Sequence, residues 1–107
     1  MTPAEFVGNW RRHKEELLRL FMSEDAETLV AQKIRSLALN SEQTATLREV
    51  LDGALTDTMY SLLLGLDGAA SIGDNQQRYK IFAEDGSLIR GEDEIEGEAY
   101  AQFHLNT

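Results

Sequence analysis

Few side chains in this sequence are suited to nucleophilic or metal chemistry. It has no cysteine and two histidines, His13 and His104, so thiolate catalysis and thiolate metal sites are excluded. His-x-x-x-His, Glu-x-x-His and Gly-x-Ser-x-Gly patterns are absent. The acidic run at residues 92–98 lacks the alternating Asp/Asn spacing and central glycine of a calcium loop. We therefore predict no metal site, no cofactor and no catalytic residue, and an enzyme is the less favoured interpretation.

Eight polar or aromatic residues are candidates for a binding site. Short polar side chains and glycines gather after residue 66, and three tyrosines flank them. Tyrosines beside adaptable polar groups suit contact surfaces, because they bury area at low entropic cost. The predicted binding residues are Asp57, Tyr60, Asp67, Ser71, Gln76, Tyr79, Tyr100 and His104. For Asp67 and Ser71, the favoured interpretation is capping of a helix end and a turn.

A long helix predicted over residues 41–66 must position these side chains. Apolar residues recur there at steps of three and four, and Ser41 is a suitable N-cap. Because 26 residues is long for a small domain, a kink near Gly53 is an open alternative. One side carries a stripe typical of a close helix crossing or a solvated seam, or else the floor of a polar site: Gly53, Asp57, Ser61 and Gly65.

Two shorter helices are predicted before the long one. Thr2 and Pro3 favour a helix start, and the first helix extends to about Met22. Its basic residues Arg11, Arg12, Lys14 and Arg19 are assigned, with the surface residue His13, to a solvated face. A second helix is predicted from Ser23 to near Asn40. Its expected buried stripe is Leu29, Val30, Ile34 and Leu37.

The chain after residue 66 changes character. Strand-favouring residues at 78–82, a turn at 84–87 and Leu88-Ile89 predict a β-hairpin. A final helix is predicted from about Asp93 to His104, with Ile95, Ala99 and Phe103 on its buried side. The predicted fold is therefore α+β and mainly helical, a single domain spanning residues 1–107.

Charge is distributed unevenly along the chain. The net charge is −9, of which residues 1–50 carry −1 and residues 51–107 carry −8. Such an acidic half repels nucleic acid and anionic membranes but attracts a basic protein surface. Acidity that serves solubility alone is the commoner alternative. The absence of cysteine, of a signal peptide and of a membrane-length apolar run predicts a cytoplasmic protein.

A distinctive pattern extends over the C-terminal half. It consists of YSLLLGLDG at 60–68, ASIG at 70–73, Gln76, Tyr79, EDG at 84–86, EGEAY at 96–100 and Phe103-His104. This pattern resembles that of uncharacterised small acidic bacterial proteins. Some small acidic bacterial proteins of similar build are immunity proteins that block a toxin by direct binding. The resemblance therefore implies an immunity- or inhibitor-like function.

The favoured hypothesis is a cytoplasmic protein-binding module whose acidic C-terminal half contacts a basic surface of a partner protein. The alternative is a small-molecule-binding or hydrolytic domain with a site near Asp57, Asp67 and His104. A third interpretation is a homodimer formed through the apolar residues 55–66. No nucleic-acid or membrane partner is expected.

Overall fold

The computed structural model describes residues 1–89 and 94–105. Within them the chain forms α1 (Pro3–Phe21), α2 (Leu29–Ser36), α3 (Ser41–Leu66) and α4 (Glu94–Tyr100), and α4 continues into a π-helical turn at Ala101–Leu105. α1 packs on α3, α4 and α2, and α4 packs on α3. No helix in these parts of the chain is long and apolar enough to cross a lipid bilayer.

α1 begins as the sequence predicts. Thr2 is its N-cap, and the Thr2 hydroxyl accepts a hydrogen bond from the backbone N–H of Glu5 at 3.1 Å. Pro3 opens the first turn, where its missing N–H carries no penalty. The helix ends at Phe21, within one residue of the predicted end.

α2 begins later and is less buried than the sequence predicts. Its N-cap is Thr28, whose hydroxyl accepts from the backbone N–H of Ala31 at 3.2 Å. The predicted start at Ser23 is wrong, because the Ser23 hydroxyl bonds the Asp25 carboxylate at 2.6 Å in a local turn. The predicted end near Asn40 is also wrong, since α2 stops at Ser36.

The predicted buried stripe of α2 is wrong at three of its four positions. Ile34 is half-buried, but Leu29, Val30 and Leu37 are exposed. The small residue Ala31 is fully buried, and α2 packs on α1. The larger apolar side chains of α2 therefore remain on the surface.

α3 runs as one unbroken helix from Ser41 to Leu66, so it does not end at Gly53. Its N-cap is Asn40 in place of the predicted Ser41. The Asn40 side chain accepts from the backbone N–H of Gln43 at 2.8 Å, and the Gln43 side chain accepts from the backbone N–H of Asn40 at 3.0 Å. This reciprocal capping box satisfies two donors that the first turn would otherwise leave unpaired. At 1.5 Å per residue α3 is about 39 Å long, close to the 46 Å length of the molecule.

The stripe of small and polar residues on α3 has two different surroundings. Gly53, Asp57 and Ser61 are exposed and form a solvated seam. Gly65 is buried, and a Cβ atom at this position would overlap the side chain of Ile72. The stripe is therefore a solvated seam over three positions and a close contact at the fourth.

The predicted α+β class and its β-hairpin are wrong. Among the described residues, the segment between α3 and α4 contains isolated β-bridges and no strand. The chain does reverse at the predicted turn, where Phe82 and Leu88 form one antiparallel bridge and the Ile89 N–H donates to the Ile81 carbonyl at 2.7 Å. Phe82 is 57% exposed and Leu88 50%. Because no described element covers these apolar side chains, the reversal does not extend into a sheet, and the fold is helical.

The core lies where α1, α3 and α4 meet. Its buried members are Val7, Met59, Leu63, Ile95, Ala99 and Phe103. The last three are the predicted buried side of the final helix, so that prediction is confirmed. The predicted helix start at Asp93 lies outside the described residues. After Tyr100 the chain widens into the π-helical turn instead of continuing as an α-helix.

Candidate functional site

Asp67 is buried and links three parts of the chain. It follows the last residue of α3 and is 1% exposed. Its Oδ2 accepts a hydrogen bond at 3.0 Å from the backbone N–H of Glu96, in the first turn of α4. Its backbone is bridged to Arg78, whose Nε donates to the Asp67 carbonyl at 3.5 Å. Asp67 is the C-cap residue of α3, as the sequence predicts, and its carboxylate in addition caps the first turn of α4.

Three other predicted binding residues lie along the loop that follows α3. The Gln76 side chain donates to the Gly68 carbonyl at 3.1 Å, and the Tyr79 backbone N–H donates to the Leu66 carbonyl at 3.1 Å. These bonds fold the loop back onto the end of α3. Ser71 is exposed within the loop. Gln76 and Tyr79 thus have structural roles in closing the loop.

The structure brings Tyr60, Tyr100 and His104 together. The His104 ring lies edge-on to Tyr60, with ring centroids 4.4 Å apart, and its centroid is 5.8 Å from that of Tyr100. Tyr60 is half-buried beside the core, while His104 and Tyr100 are exposed. α3 supplies Tyr60, α4 supplies Tyr100 and the π-helical turn supplies His104.

Carboxylates flank this aromatic cluster on both helices. Asp57 lies three residues before Tyr60 on α3, and Glu96 lies four residues before Tyr100 on α4, so each shares a helix face with its tyrosine. Neither carboxylate forms an ion pair with a described residue. We call this set the acidic aromatic surface, and it consists of Asp57, Tyr60, Glu96, Tyr100 and His104.

Lys14 is a buried charged residue that the sequence analysis placed on a solvated face. It is 6% exposed, and its Nζ lies 2.8 Å from Asp52 Oδ1 and 3.1 Å from Thr56 Oγ1. Glu15 is a further partner at 3.4 Å. The missed signal is its position seven residues after Val7 and four before Leu18, on the buried side of α1. Its partners make it a connection between α1 and α3.

The residues of the predicted hydrolytic site do not share a cavity in the described part of the chain. An apolar cavity of about 310 Å³ lies between α1 and α3 and is lined by Asn9, Trp10, His13 and Met59. Neither it nor three further cavities includes Asp57, Asp67 or His104. Within the described residues, no three His, Asp or Glu side chains are grouped to hold a metal ion.

Asp85 has an altered acidity that its turn explains. The Ser87 hydroxyl donates to Asp85 Oδ1 at 2.6 Å, and the Ser87 backbone N–H donates to the same oxygen at 2.9 Å. These two bonds favour the ionised form and lower the pKa of the Asp85 carboxyl below its ordinary value of 3.8. Because Asp85 is fully exposed in this turn, the bonds indicate a local turn and not a reactive group.

A second surface, absent from the predicted binding residues, lies at the other end of the molecule. A groove of about 480 Å³ separates the α2–α3 connection from the first turns of α3. Leu37 and Val50 line it and are 60% and 59% exposed. No sequence signal marks this surface, because the shortness of α2 and the exposure of its apolar side chains are seen only in the structure.

Comparison of the chain with protein-family models, with curated proteins and with solved structures gives no match. The resemblance of the C-terminal half to small acidic bacterial proteins therefore stays a prediction.

Proposed function

We propose that this chain is a cytoplasmic protein-binding module that contacts a basic partner through the acidic aromatic surface. The observation that supports the proposal is the convergence of Tyr60, Tyr100 and His104 from three segments, with carboxylates flanking them. Tyrosine rings supply contact area, and the carboxylates attract lysine or arginine side chains of a partner.

The charge distribution supports the same partner chemistry. Residues 51–107 carry a net charge of −8. Several of their carboxylates are exposed and form no ion pair with a described residue: Asp57, Asp74, Glu84 and Glu94. A basic surface would neutralise this field, which speeds encounter and makes association sensitive to salt.

The alternative of a small-molecule or hydrolytic site gains no support from the geometry. Asp67 is fully buried and its carboxylate is engaged by the Glu96 backbone N–H. A substrate would have to displace this cap and unravel the first turn of α4. That requirement makes Asp67 a structural residue.

Affinity capture of the tagged protein from its native cells tests the proposal, with bound proteins identified by mass spectrometry. The test variant is Asp57→Asn/Tyr100→Ala, which removes one charge and one ring from the acidic aromatic surface. The control variant is Glu24→Gln/Phe82→Ala, which makes the same kind of change at exposed positions outside it. We expect a stoichiometric basic partner that the control retains and the test variant loses.

Salt provides a second readout in the same experiment. The Debye length falls from about 10 Å at 0.1 M to about 3 Å at 1 M salt, so capture should weaken over this range. A partner that binds equally at both salt concentrations, or that binds the test variant as well as the control, would contradict the proposal.

A further inference from the structure

We infer that a second copy of this chain occupies the surface formed by α2 and the first half of α3, giving a two-fold symmetric dimer. This contact is separate from the acidic aromatic surface and does not depend on the proposed function. We call it the α2–α3 face, and its apolar members are Leu29, Val30, Leu37, Leu39, Leu47 and Val50.

The α2–α3 face is apolar and uncovered in the single chain. Leu29 is 69% exposed, Leu37 60% and Val50 59%. Leu39 and Leu47 are half-buried, and they line the groove together with Leu37 and Val50. A groove lined mainly by apolar side chains can receive large side chains from a helix of a second copy, as helices pack on one another within a protein core.

The accessible area of the whole chain is large enough to include an interface of standard size. The chain exposes 7038 Å², whereas a compact monomer of 12.0 kDa exposes about 6,000 Å². The surplus of roughly 1,000 Å² matches the area of about 800 Å² that each partner buries in an interface of standard size. The radius of gyration, 16.3 Å, likewise exceeds the value of about 13 Å for a compact chain of this length.

Charge identifies a second copy as the partner for this face. Residues 29–51 contain three basic and two acidic residues, although the whole chain has a net charge of −9. A basic partner would therefore be drawn to the opposite end of the molecule. A two-fold axis places one patch against the same patch, which requires near-neutral charge, and the α2–α3 face meets that requirement.

Sedimentation of the full-length chain over a range of concentrations tests the inference. We expect the average mass to rise toward twice 12.0 kDa as the concentration approaches about 100 µM, because interfaces of standard area have dissociation constants of micromolar or below. A mass that stays at one chain throughout would overturn the inference.

The variant Leu37→Asp/Val50→Asp locates the interface. Both positions are more than half exposed, so the single chain tolerates the charges, but the dimer would have to desolvate four carboxylates. We expect its dissociation constant to rise by about a hundredfold or more. Phe82→Asp/Leu105→Asp, at positions 57% and 64% exposed outside the α2–α3 face, is the matched control and should dimerise like the wild type. A dimer that survives in the test variant would overturn the inference.

Two measurements on the wild-type chain remain decisive even if the variant misfolds. Amide chemical shifts recorded on dilution should change mainly at residues 29–50, and changes confined to other residues would overturn the inference. Raising the salt concentration should leave the dimer intact, because the contact is apolar and screening reduces repulsion between two acidic chains. Loss of the dimer at high salt would overturn it.

Discussion

Lys14 occupies a core-facing position of α1 although it carries a charge. Its aliphatic stem lies within the contact between α1 and α3, while its ammonium group reaches Asp52 and Thr56 on α3. Asp52 is half-exposed, so water completes the hydration of its carboxylate. This arrangement needs both partners, because the Lys14 side chain is only 7% exposed.

Replacing Asp52 with alanine tests the importance of this ion pair. The change leaves the Lys14 ammonium buried with fewer partners, so we expect the free energy of unfolding to fall by about 2 kcal/mol. Glu15→Ala removes the more distant and exposed partner and should change it by less than about 0.5 kcal/mol. Urea unfolding followed by circular dichroism measures both. Equal losses would show that Lys14 does not depend on Asp52.

The aromatic cluster shows which part of the site a sequence can predict. Tyr60 and Tyr100 are predicted as binding residues because tyrosines suit contact surfaces, and His104 is predicted as a polar group of the alternative small-molecule or hydrolytic site. Their proximity was not predictable, because Tyr60 and His104 are far apart in sequence and meet only when α4 packs on α3. Asp67 caps the end of α3 as the sequence predicts, but its second role as a cap of α4 depends on that same packing.

α3 is the element whose bounds the sequence predicted best. Its regular apolar spacing is a local property, and the helix spans the predicted residues 41–66. Periodicity shows which side of a helix is apolar, but it does not show whether another element covers that side. The exposure of the leucines at α2 therefore could not be predicted from the sequence. The prediction of a β-hairpin is wrong for a related reason, since strand-favouring residues form a sheet only where neighbouring strands or a core support them.

Replacing Gly53 or Gly65 of α3 with alanine should change the stability of the protein in opposite directions. Nothing lies within 4 Å of a Cβ atom placed at Gly53, so Gly53→Ala should stabilise the protein by about 1 kcal/mol through helix propensity. A Cβ atom at Gly65 would overlap Ile72, so Gly65→Ala should destabilise it by about 2 kcal/mol through overpacking. Thermal unfolding compares the variants.

The Ile72→Ala background provides the control for this pair. Removing most of the Ile72 side chain should relieve the overlap, so Gly65→Ala should be less destabilising there than in the wild type. If the two glycine substitutions changed stability in the same direction, the close contact between α3 and the following loop would be contradicted.

At the scale of the whole molecule, packing is concentrated at one end. The core consists of residues from α1, the second half of α3, and the α4 segment with its π-helical turn. The first half of α3 has no residue in it, and Val50 is 59% exposed. The unpartnered end of the molecule carries the α2–α3 face and the packed end carries the acidic aromatic surface, so the two contacts can form simultaneously.

Hydrogen exchange in dilute solution should show that the first half of α3, which lies outside the core, is less stable than the second half. Amides around Met59 and Leu63, beside the core, should open only on global unfolding, whereas those of residues 44–50 should exchange by local opening. We expect protection in the first half to be lower by at least about tenfold, since each 1.4 kcal/mol of opening free energy corresponds to a factor of ten. Uniform protection would show that α3 is stable without a partner for its first half.

Trp10 gives the molecule an internal optical reporter. It is the one tryptophan of the chain, it is half-buried, and it borders the cavity between α1 and α3 with Met59. Its emission therefore follows hydration of the contact between α1 and α3, whereas circular dichroism reports on all the helices, of which α3 is the longest described. Unfolding curves from the two signals coincide if the molecule melts as one cooperative unit, and they separate if the far end of α3 unwinds first.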